Sequence, residues 1–512
     1  MPKILNAKQL YQADKITLKK NGITSLDLME YASELCFNWI NNRLKGNPIK
    51  IHILCGTGNN GGNGLVIARM LKKHGYEIET YVVNCGNKRT AEFLTNYERL
   101  KDLGTWPTML KCDAEFPKIT ENDMVIDAIL GIGINRAPDG LIKEVIQHIN
   151  KSNAYVLSID FPSGLFIDKP IKDTESVVKA FQVLTFNNPK IALLLPENEA
   201  FCTNWEVIPI GLDPEFIDAL ETQYFLTEKP DVLPFYKFRN KFAHKGNFGH
   251  SLLIGGSFGK IGAVSLASKA ALKIGSGLVS AYIPKCGYIP FQTALPEIMV
   301  EVDTESELQH FNFKTKPTVI GIGVGMGTTI KTTNGFSSFL KKNKTNLVLD
   351  ADALNIIAKD KSLLDLLPKG SVLTPHPKEL ERLIGKWKND YQKIEKLQKF
   401  TKKHDLIVIL KGYFSAVFHQ EKVYFNTTGN PALATAGSGD VLTGIITGLI
   451  AQGYSNLHAS LLGVYLHGKT ADIGMEKDVY ETFTASDIID NLSKAFIDLF
   501  AVEKPLMENK VD

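Results

Sequence analysis

The chain has 512 residues, too many for one hydrophobic core, so two or three domains are expected. Apolar residues make up 44% and charged residues 22%, as in a soluble globular protein, and the formal net charge of +3 points to neither nucleic acid nor an anionic membrane as main partner. The start, MPKILNAKQLYQADK, lacks the apolar stretch of a signal peptide, and no apolar run reaches the ~18 residues of a membrane span, so a cytoplasmic location is expected.

The first 45 or so residues read as two helices, AKQLYQADKITLKK and SLDLMEYASELCFNWINNRL. An alternation follows. IKIHILC reads as a strand, LVIARMLKKHG (apolar at Ile67, Met70 and Leu71) as a helix, and EIETYVVN as a strand. Strand, helix and strand within about 35 residues make a βαβ unit and predict a parallel sheet. DMVIDAILG, LIKEVIQHIN and AYVLSID continue the pattern. After WEVIPIGL comes ETQYFLTEKPDVLPFYKFRNKFAHKGNFG (221–249), rich in prolines and charges and without a clear periodic element. The boundary belongs there, giving domains 1–220 and 221–512.

A second alternation starts at GHSLLIGGS. GAVSLASKAALKIG places Ala263, Leu266, Ala267, Ala270, Ala271 and Ile274 on one helix face. LVSAYIP, TVIGIGVG, NLVLDADAL, SVLTPHP and LIVILKG are strand-like, SAVFHQEKVYFNTT reads as a hairpin, and the end is mostly helical from VLTGIITGLIAQG. The expected class is α/β, with glycine-rich turns at the strand ends, where open parallel sheets bind ligands. The six cysteines (Cys36, Cys55, Cys85, Cys112, Cys202 and Cys286) show no CxxC and no zinc-like spacing, and read as scattered buried thiols without disulfides.

Three motifs of the first half fall at strand ends. GNNGGNG (58–64) lies between a strand and a helix. Its glycines allow positive φ and let a phosphate approach the helix N–H groups, and its asparagine amides suit a ligand or a cation. A plain βα turn is the structural alternative. VIDAILGIGINRA (125–137) carries Asp127 and SIDFPSG (158–164) carries Asp160. One strand-end Asp is often only a helix cap. Two of them, both beside glycine turns and opposite GNNGG, favour a site.

Together these motifs resemble the NAD(P)H-hydrate epimerase domain. That family has a Rossmann-like fold and holds potassium. It interconverts the R and S forms of NADHX and NADPHX, the cofactors that have taken up water on the nicotinamide ring. The resemblance implies that Asn59, Asn60, Gly61, Gly62 and Asn63 face the dinucleotide, with Gly131, Ile132, Gly133, Ile134, Asn135, Arg136 and Ala137. It implies that Asn60, Asp127 and Ser163 ligate potassium, and that Asp160 contacts the damaged ring as candidate acid/base. The family usually has Asp where this chain has Asn63, so the loop carries one charge fewer.

NPALATAGSGDVLTGIITGLIAQG (430–453) is the strongest signal. Small residues lead into Gly-Ser-Gly-Asp, and a helix begins at once. The N–H groups of Gly437 to Asp440 would converge at its positive end, an anion hole for a transferring phosphoryl group, with Asp440 placed to take a proton from the attacking hydroxyl. A helix-capping Asp after a glycine turn is the plainer reading. GSGD resembles the catalytic motif of ribokinase-like kinases. With HKGNFGHSLLIGGS, GIGVGMG, VLTPHPKELERL and VILKG, it resembles the NAD(P)H-hydrate dehydratase family. The likeness covers most of 1–215 and 225–500, in the domain order of bifunctional NAD(P)H-hydrate repair enzymes: a Rossmann-like parallel-sheet domain, then a ribokinase-like one.

In that family ADP or ATP, with magnesium, phosphorylates the ring hydroxyl, and elimination of phosphate restores NADH or NADPH. The resemblance implies hydrate contacts by Ala263, Gly325, His376, Pro377, Lys378, Glu379, Leu380, Glu381, Arg382 and Asp440. It implies nucleotide contacts by Lys411, Gly412, Tyr413, Phe414 and Ser415, and by Asn430, Pro431, Ala432, Leu433, Ala434, Thr435, Ala436, Gly437, Ser438 and Gly439. Val324 stands where proline is common and Lys378 where glycine is common. His376, between two prolines, reads both as a rigid turn and as a ligand contact. Asp350 and Asp352 read equally as magnesium-nucleotide ligands and as strand-end caps, and His244 and Lys245 as solvated. Homo-oligomers are common in the family. The rival reading is a vitamin-precursor kinase preceded by a non-catalytic dinucleotide-binding module.

Overall fold

Apolar runs too short for helices become the strands of two sheets, whose inner strands are buried on both faces as parallel strands require. The computed structural model describes residues 1–84, 88–111 and 115–501. Contacts divide the chain into two compact units. One is Lys3–Thr222 with Asn389–Tyr391; the other is Met1–Pro2, Gln223–Lys388 and Gln392–Asp512.

The first unit holds β1 (Ile51–Cys55), β2 (Ile78–Val83), β3 (Thr108–Leu110), β4 (Met124–Ala128), β5 (Tyr155–Ile159), β6 (Ala180–Phe186) and β7 (Cys202–Ile208). Their order is β3-β2-β1-β4-β5-β6-β7, and every pairing is parallel. The chain winds outward from β1 to β3, then returns to β4 on the other side. That reversal opens a crevice past the carboxyl ends of β1 and β4, the usual ligand position in such sheets. The two expected N-terminal helices form at Ala7–Asn21 and Ser25–Leu44, each opened by a capping box.

The second unit holds β8 (Tyr224–Thr227), β9 (His250–Ile254), β10 (Leu278–Ile283), β11 (Met299–Val302), β12 (Val319–Ile322), β13 (Asn346–Leu349), β14 (Val372–Leu373), β15 (Ile407–Leu410), β16 (Ala416–His419) and β17 (Lys422–Asn426). The order is β11-β10-β9-β12-β13-β14-β15-β16-β17-β8. All pairings are parallel except those of β16, which makes the expected hairpin with β17. The order reverses again, between β9 and β12.

The core of this unit centres on the helix Ser438–Ala451, buried along nearly its whole length. It lies against the helix Ile261–Lys273. A Cβ at Gly444 would stand 2.1 Å from the Ala267 carbonyl oxygen, and one at Gly448 would stand 2.3 Å from Ile274 Cγ2. Alanines on one helix and glycines on the other let the two backbones approach.

Three expectations need correction. Residues 221–249 are not free of regular structure: Tyr224–Thr227 is a strand, paired in parallel with β17 at the sheet edge, and Lys229–Val232 is a short helix. GNNGGNG is not a turn before a helix, because the helix Asn59–Lys73 already begins at Asn59. Its glycines serve packing: a Cβ at Gly61 would lie 1.8 Å from the Gly56 oxygen, and one at Gly64 would lie 2.7 Å from Ala128 Cβ and Cys55 Sγ. Among the described residues the thiols are free, but Cys286 is only half-buried, whereas Cys36, Cys55 and Cys202 are buried. Cys85 and Cys112 lie outside the described residues. Among the described residues no helix is long and apolar enough to cross a membrane.

Candidate active sites

In the first unit a cavity of about 660 Å3 opens at the strand-order reversal. Asn59, Asn60, Asn63, Gly131, Ile132, Gly133, Ile134 and Asp160 line it, so most of the predicted set is brought together. Some of the set lies elsewhere. The Gly61 and Gly62 faces are taken up by packing, Gly62 against Met29. Asn135 lines a neighbouring cavity. The Arg136 side chain is 82% exposed and lies 3.8 Å from Asp139. Asn63 is buried and accepts a hydrogen bond from Ser33 Oγ at 3.1 Å.

Asp127, at the end of β4, is fully buried. Its carboxylate accepts from Ser158 Oγ (2.7 Å), the Ser163 N–H (2.9 Å), Ser163 Oγ (2.5 Å) and the Ile129 N–H (3.2 Å). Burial pushes its carboxyl above the usual range, against those bonds. Asn60 Nδ2 donates to the Leu130 and Ile159 carbonyls, both at 3.0 Å, which leaves the buried Asn60 Oδ1 without a hydrogen-bond donor. Ser163 Oγ accepts from the Leu130 N–H at 2.8 Å. Asn60 and Ser163 thus both meet Leu130, Asp127 meets Ser163, and the buried Asn60 Oδ1 is left an orphan. A buried orphan acceptor calls for a partner, and this donor set fits an alkali cation. Among the described residues no three His, Cys, Asp or Glu side chains gather as a metal site.

Asp160 follows β5 with φ 64°, in the left-handed region, held by its N–H to the Leu184 carbonyl at 2.8 Å. A non-glycine residue persists there only where its surroundings dictate it. Lys190, 1% exposed, places Nζ 3.4 Å from Asp160 Oδ1 and donates to the Phe186 carbonyl at 2.8 Å. Burial pushes the Lys190 ammonium down, and Asp160 counters it. Asp14 and Tyr11, one helical turn apart on the first helix, line the same cavity. Asp14 is pushed up to about 6 by burial first, then by the charge of Asp160, with Lys190 opposing. Sequence reasoning missed Lys190, Asp14 and Tyr11. The only local signal was two polar residues flanking the buried Leu10 and Ala13 on one helix.

In the second unit a cavity of about 610 Å3 is lined by His376, Lys411, Gly412, Tyr413, Ser415, Asn430, Pro431, Leu433, Ala434, Thr435, Ser438 and Gly439. Gly437 caps the helix Ser438–Ala451 with φ 87°, and a Cβ there would meet Leu266 Cδ1 at 2.6 Å, so conformation and space both require glycine. Asp440 lies in the first turn. Its carboxyl is pushed up to about 6 by burial, then by Asp350, with Lys411 opposing and Asp352 adding. His467, buried below the turn with Nε2 3.1 Å from the Ser438 carbonyl, is pushed down to about 4 by burial. Asn430 donates to Asp472 at 3.0 Å, a partner the motif did not announce.

Asp350 is neither a simple cap nor a free metal ligand. It caps the helix Ala351–Lys359 through the Ala351 N–H at 2.8 Å, accepts from Thr443 Oγ1 at 2.8 Å, and takes Lys411 Nζ at 2.8 and 3.0 Å. Asp352 Oδ2 accepts from the Gly327 N–H at 2.8 Å.

Residues expected around the hydrate are more dispersed. Ala263 and Gly325 meet, with Ala263 Cβ 3.0 Å from a Cβ built on Gly325. His376 caps the helix Pro377–Ile384: its ring accepts from the Lys378 N–H at 3.2 Å, and the His376 backbone N–H donates to Glu379 Oε2 at 3.0 Å. The rigid-turn reading therefore holds alongside its place in the cavity wall. Arg382 donates to Asn355 at 2.7 Å. The Leu380 and Ala432 side chains, expected at the ligands, are turned into the core. His244 caps the turn Lys245–Phe248 through the Gly246 N–H at 3.1 Å and is not simply solvated.

A family profile described as "YjeF-related protein N-terminus" matches residues 25–192, and one described as "NAD(P)H-hydrate dehydratase" matches residues 251–494. The chain is 32% identical to a bifunctional NAD(P)H-hydrate repair enzyme of Moorella thermoacetica, over 96% of each chain. It is 32% identical to that of Coxiella burnetii, over 95% of this chain and 97% of the relative. A solved ADP/ATP-dependent NAD(P)H-hydrate dehydratase from Bacillus subtilis, co-crystallised with ATP and magnesium, is 26% identical, with a TM-score of 0.48 over 54% of this chain and 98% of its own. The chain belongs to the family of bifunctional NAD(P)H-hydrate repair enzymes.

Proposed function

We propose that the first unit interconverts the R and S forms of NADHX or NADPHX, and that the second consumes ADP or ATP to return the S form to NADH or NADPH. Family membership over nearly the whole chain supports this reading. The observation that carries it is Asp440 in the first turn of a glycine-opened helix, with the Lys411 ammonium against the neighbouring Gly439.

Hydroxide is a poor leaving group and phosphate a good one. In the second site Asp440 takes the proton of the ring hydroxyl as its oxygen attacks the terminal phosphoryl group, whose bond to the nucleotide breaks so that AMP leaves from ADP, or ADP from ATP. The N–H groups at the helix start and the Lys411 ammonium face the oxygens on which charge builds. Phosphate then leaves with the C–O bonding pair, pushed by the ring nitrogen, and loss of a ring proton restores the double bond. Magnesium bound with the nucleotide would supply further positive charge.

In the first site the hydroxyl must pass between the two faces of one carbon. A proton is given to the departing oxygen and taken from the arriving one. Asp14, protonated up to about pH 6, and Asp160, ion-paired with Lys190, divide those roles. Asn60, Asp127 and Ser163 would hold potassium, which would offset the buried charge of Asp127. The free buried thiols suit a reducing compartment, and we place the protein in the cytoplasm.

Asp440→Asn keeps the shape of the first turn and removes the base. Nucleotide-dependent recovery of NADH from the S form should fall by roughly 10²–10⁴-fold, with the circular dichroism spectrum unchanged. Near-normal turnover would refute the role of Asp440.

A further inference from the structure

We propose that Asp350 is a positioning residue of the second site: its carboxylate holds the Lys411 ammonium against the Gly-Ser-Gly-Asp turn and ties both to the helix that carries Asp440. The proposal rests on the nucleotide-dependent reading of that site.

Asp350 follows β13 and is 2% exposed; Lys411 follows β15. Lys411 Nζ lies 2.8 and 3.0 Å from the two Asp350 oxygens, and Thr443 Oγ1 donates to Oδ2 at 2.8 Å. Thr443 comes one turn after Asp440 on the helix Ser438–Ala451. One carboxylate therefore joins two strand ends to the catalytic helix.

An ammonium has three N–H donors. Two are spent on Asp350, and the third is left for an acceptor. The Lys411 Nζ stands 3.0 Å from where a Cβ on Gly439 would be, so the remaining donor is held at the positive end of the helix. An unpaired lysine on a flexible four-carbon stem would have to be ordered during the reaction, whereas this one is ordered before it.

The same carboxylate acts on Asp440. After burial, the charge of Asp350 is the largest cause pushing the Asp440 carboxyl up to about 6; Lys411 opposes it and Asp352 adds to it. His467, the remaining titratable group below the turn, is kept neutral near pH 7 by burial. Asp350 thus sets both the place of the cation and the pH at which the base becomes available.

The test is Asp350→Asn in the full chain. Asn caps a helix as well as Asp does, and its amide can still meet the Thr443 hydroxyl, so charge is the main loss. At saturating nucleotide, kcat for NADH recovery from the S form should fall roughly tenfold to a hundredfold, with nucleotide KM changing less. The rising acid limb of the kcat profile should move to lower pH, because Asp440 loses its proton more readily once the neighbouring anion is gone. In a Lys411→Met background Asp350→Asn should add little further loss.

A folded Asp350→Asn enzyme with unchanged kcat and an unmoved limb would make Asp350 a helix cap only and overturn the proposal. So would a full additional loss in the Lys411→Met background. Should Asp350→Asn fail to fold, Thr443→Val releases one tether and keeps the charge. Reduced kcat with an unmoved limb then supports the proposal, and unchanged kcat overturns it. A wild-type chain without nucleotide-dependent recovery would refute the underlying reading, whatever Asp350 does.

Discussion

Asp14 shows what a single residue gains from its surroundings. On its helix it is one acid among polar neighbours. In the fold it shares a cavity wall with Asp160, and burial together with that charge pushes it up to about 6. The groups facing it are Asp160 after β5, Lys190 ahead of the turn Ile191–Leu194, and Tyr11 on its own helix. If Asp14 gives the proton, epimerisation corrected for the spontaneous rate falls as pH rises through about 6. Asp14→Asn should remove that limb and lower the rate by roughly 10²–10⁴-fold, while consumption of pure S form by the second site stays unchanged. Loss of rate with the limb still present would assign the proton to another group. Neither Asp14 nor Lys190 was legible in the sequence, because each matters through a partner far along the chain. Lys190 meets Asp160 across 30 residues, and Asp350 meets Lys411 across 61 and Thr443 across 93. Asp127, Asp160 and Asp440 could be singled out in the sequence because each stands beside glycines at a strand end or a helix start.

At the level of elements the glycines divide into two kinds that look alike in sequence. Gly437 needs its left-handed conformation at a ligand-facing helix start. Gly61, Gly64, Gly444 and Gly448 need only the absence of a side chain, because a strand end or a second helix occupies the space. Alanine in an exposed helix interior would ordinarily stabilise relative to glycine by about 0.5–1 kcal/mol. At Gly444 the new Cβ would meet the Ala267 carbonyl at 2.1 Å, so overpacking wins. Gly444→Ala should lower stability by about 1–3 kcal/mol, read as a lower Tm, and a raised Tm would show that the helix pair is looser than described. The strand Tyr224–Thr227 escaped the sequence reading for a different reason. Four residues carry no periodicity, and their pairing partner in β17 lies some 200 residues away. The long β-strand and helix alternations were legible because period 2, period 3.6 and glycine punctuation agree there.

At the scale of the molecule two sheets repeat one arrangement: a parallel core, a reversal of strand order, and a cavity past the carboxyl ends. The first cavity offers carboxylates and amides. The second offers a helix N-terminus and an ion-paired lysine, with Asp440 in the first turn of that helix. One suits proton transfer to and from a hydroxyl that leaves and rejoins a ring carbon, the other suits phosphoryl transfer, and in one chain they form a sequence in which the first feeds the second. The most direct test is to give the full chain a mixture of R and S NADHX, with ADP, with ATP and with neither, and to follow the return of NADH. Complete recovery, dependent on a nucleotide and faster than spontaneous epimerisation allows, is the predicted result and identifies the nucleotide. Recovery that stops when the S form is spent would contradict an active first site, and a stable phosphorylated product without NADH would contradict the dehydratase.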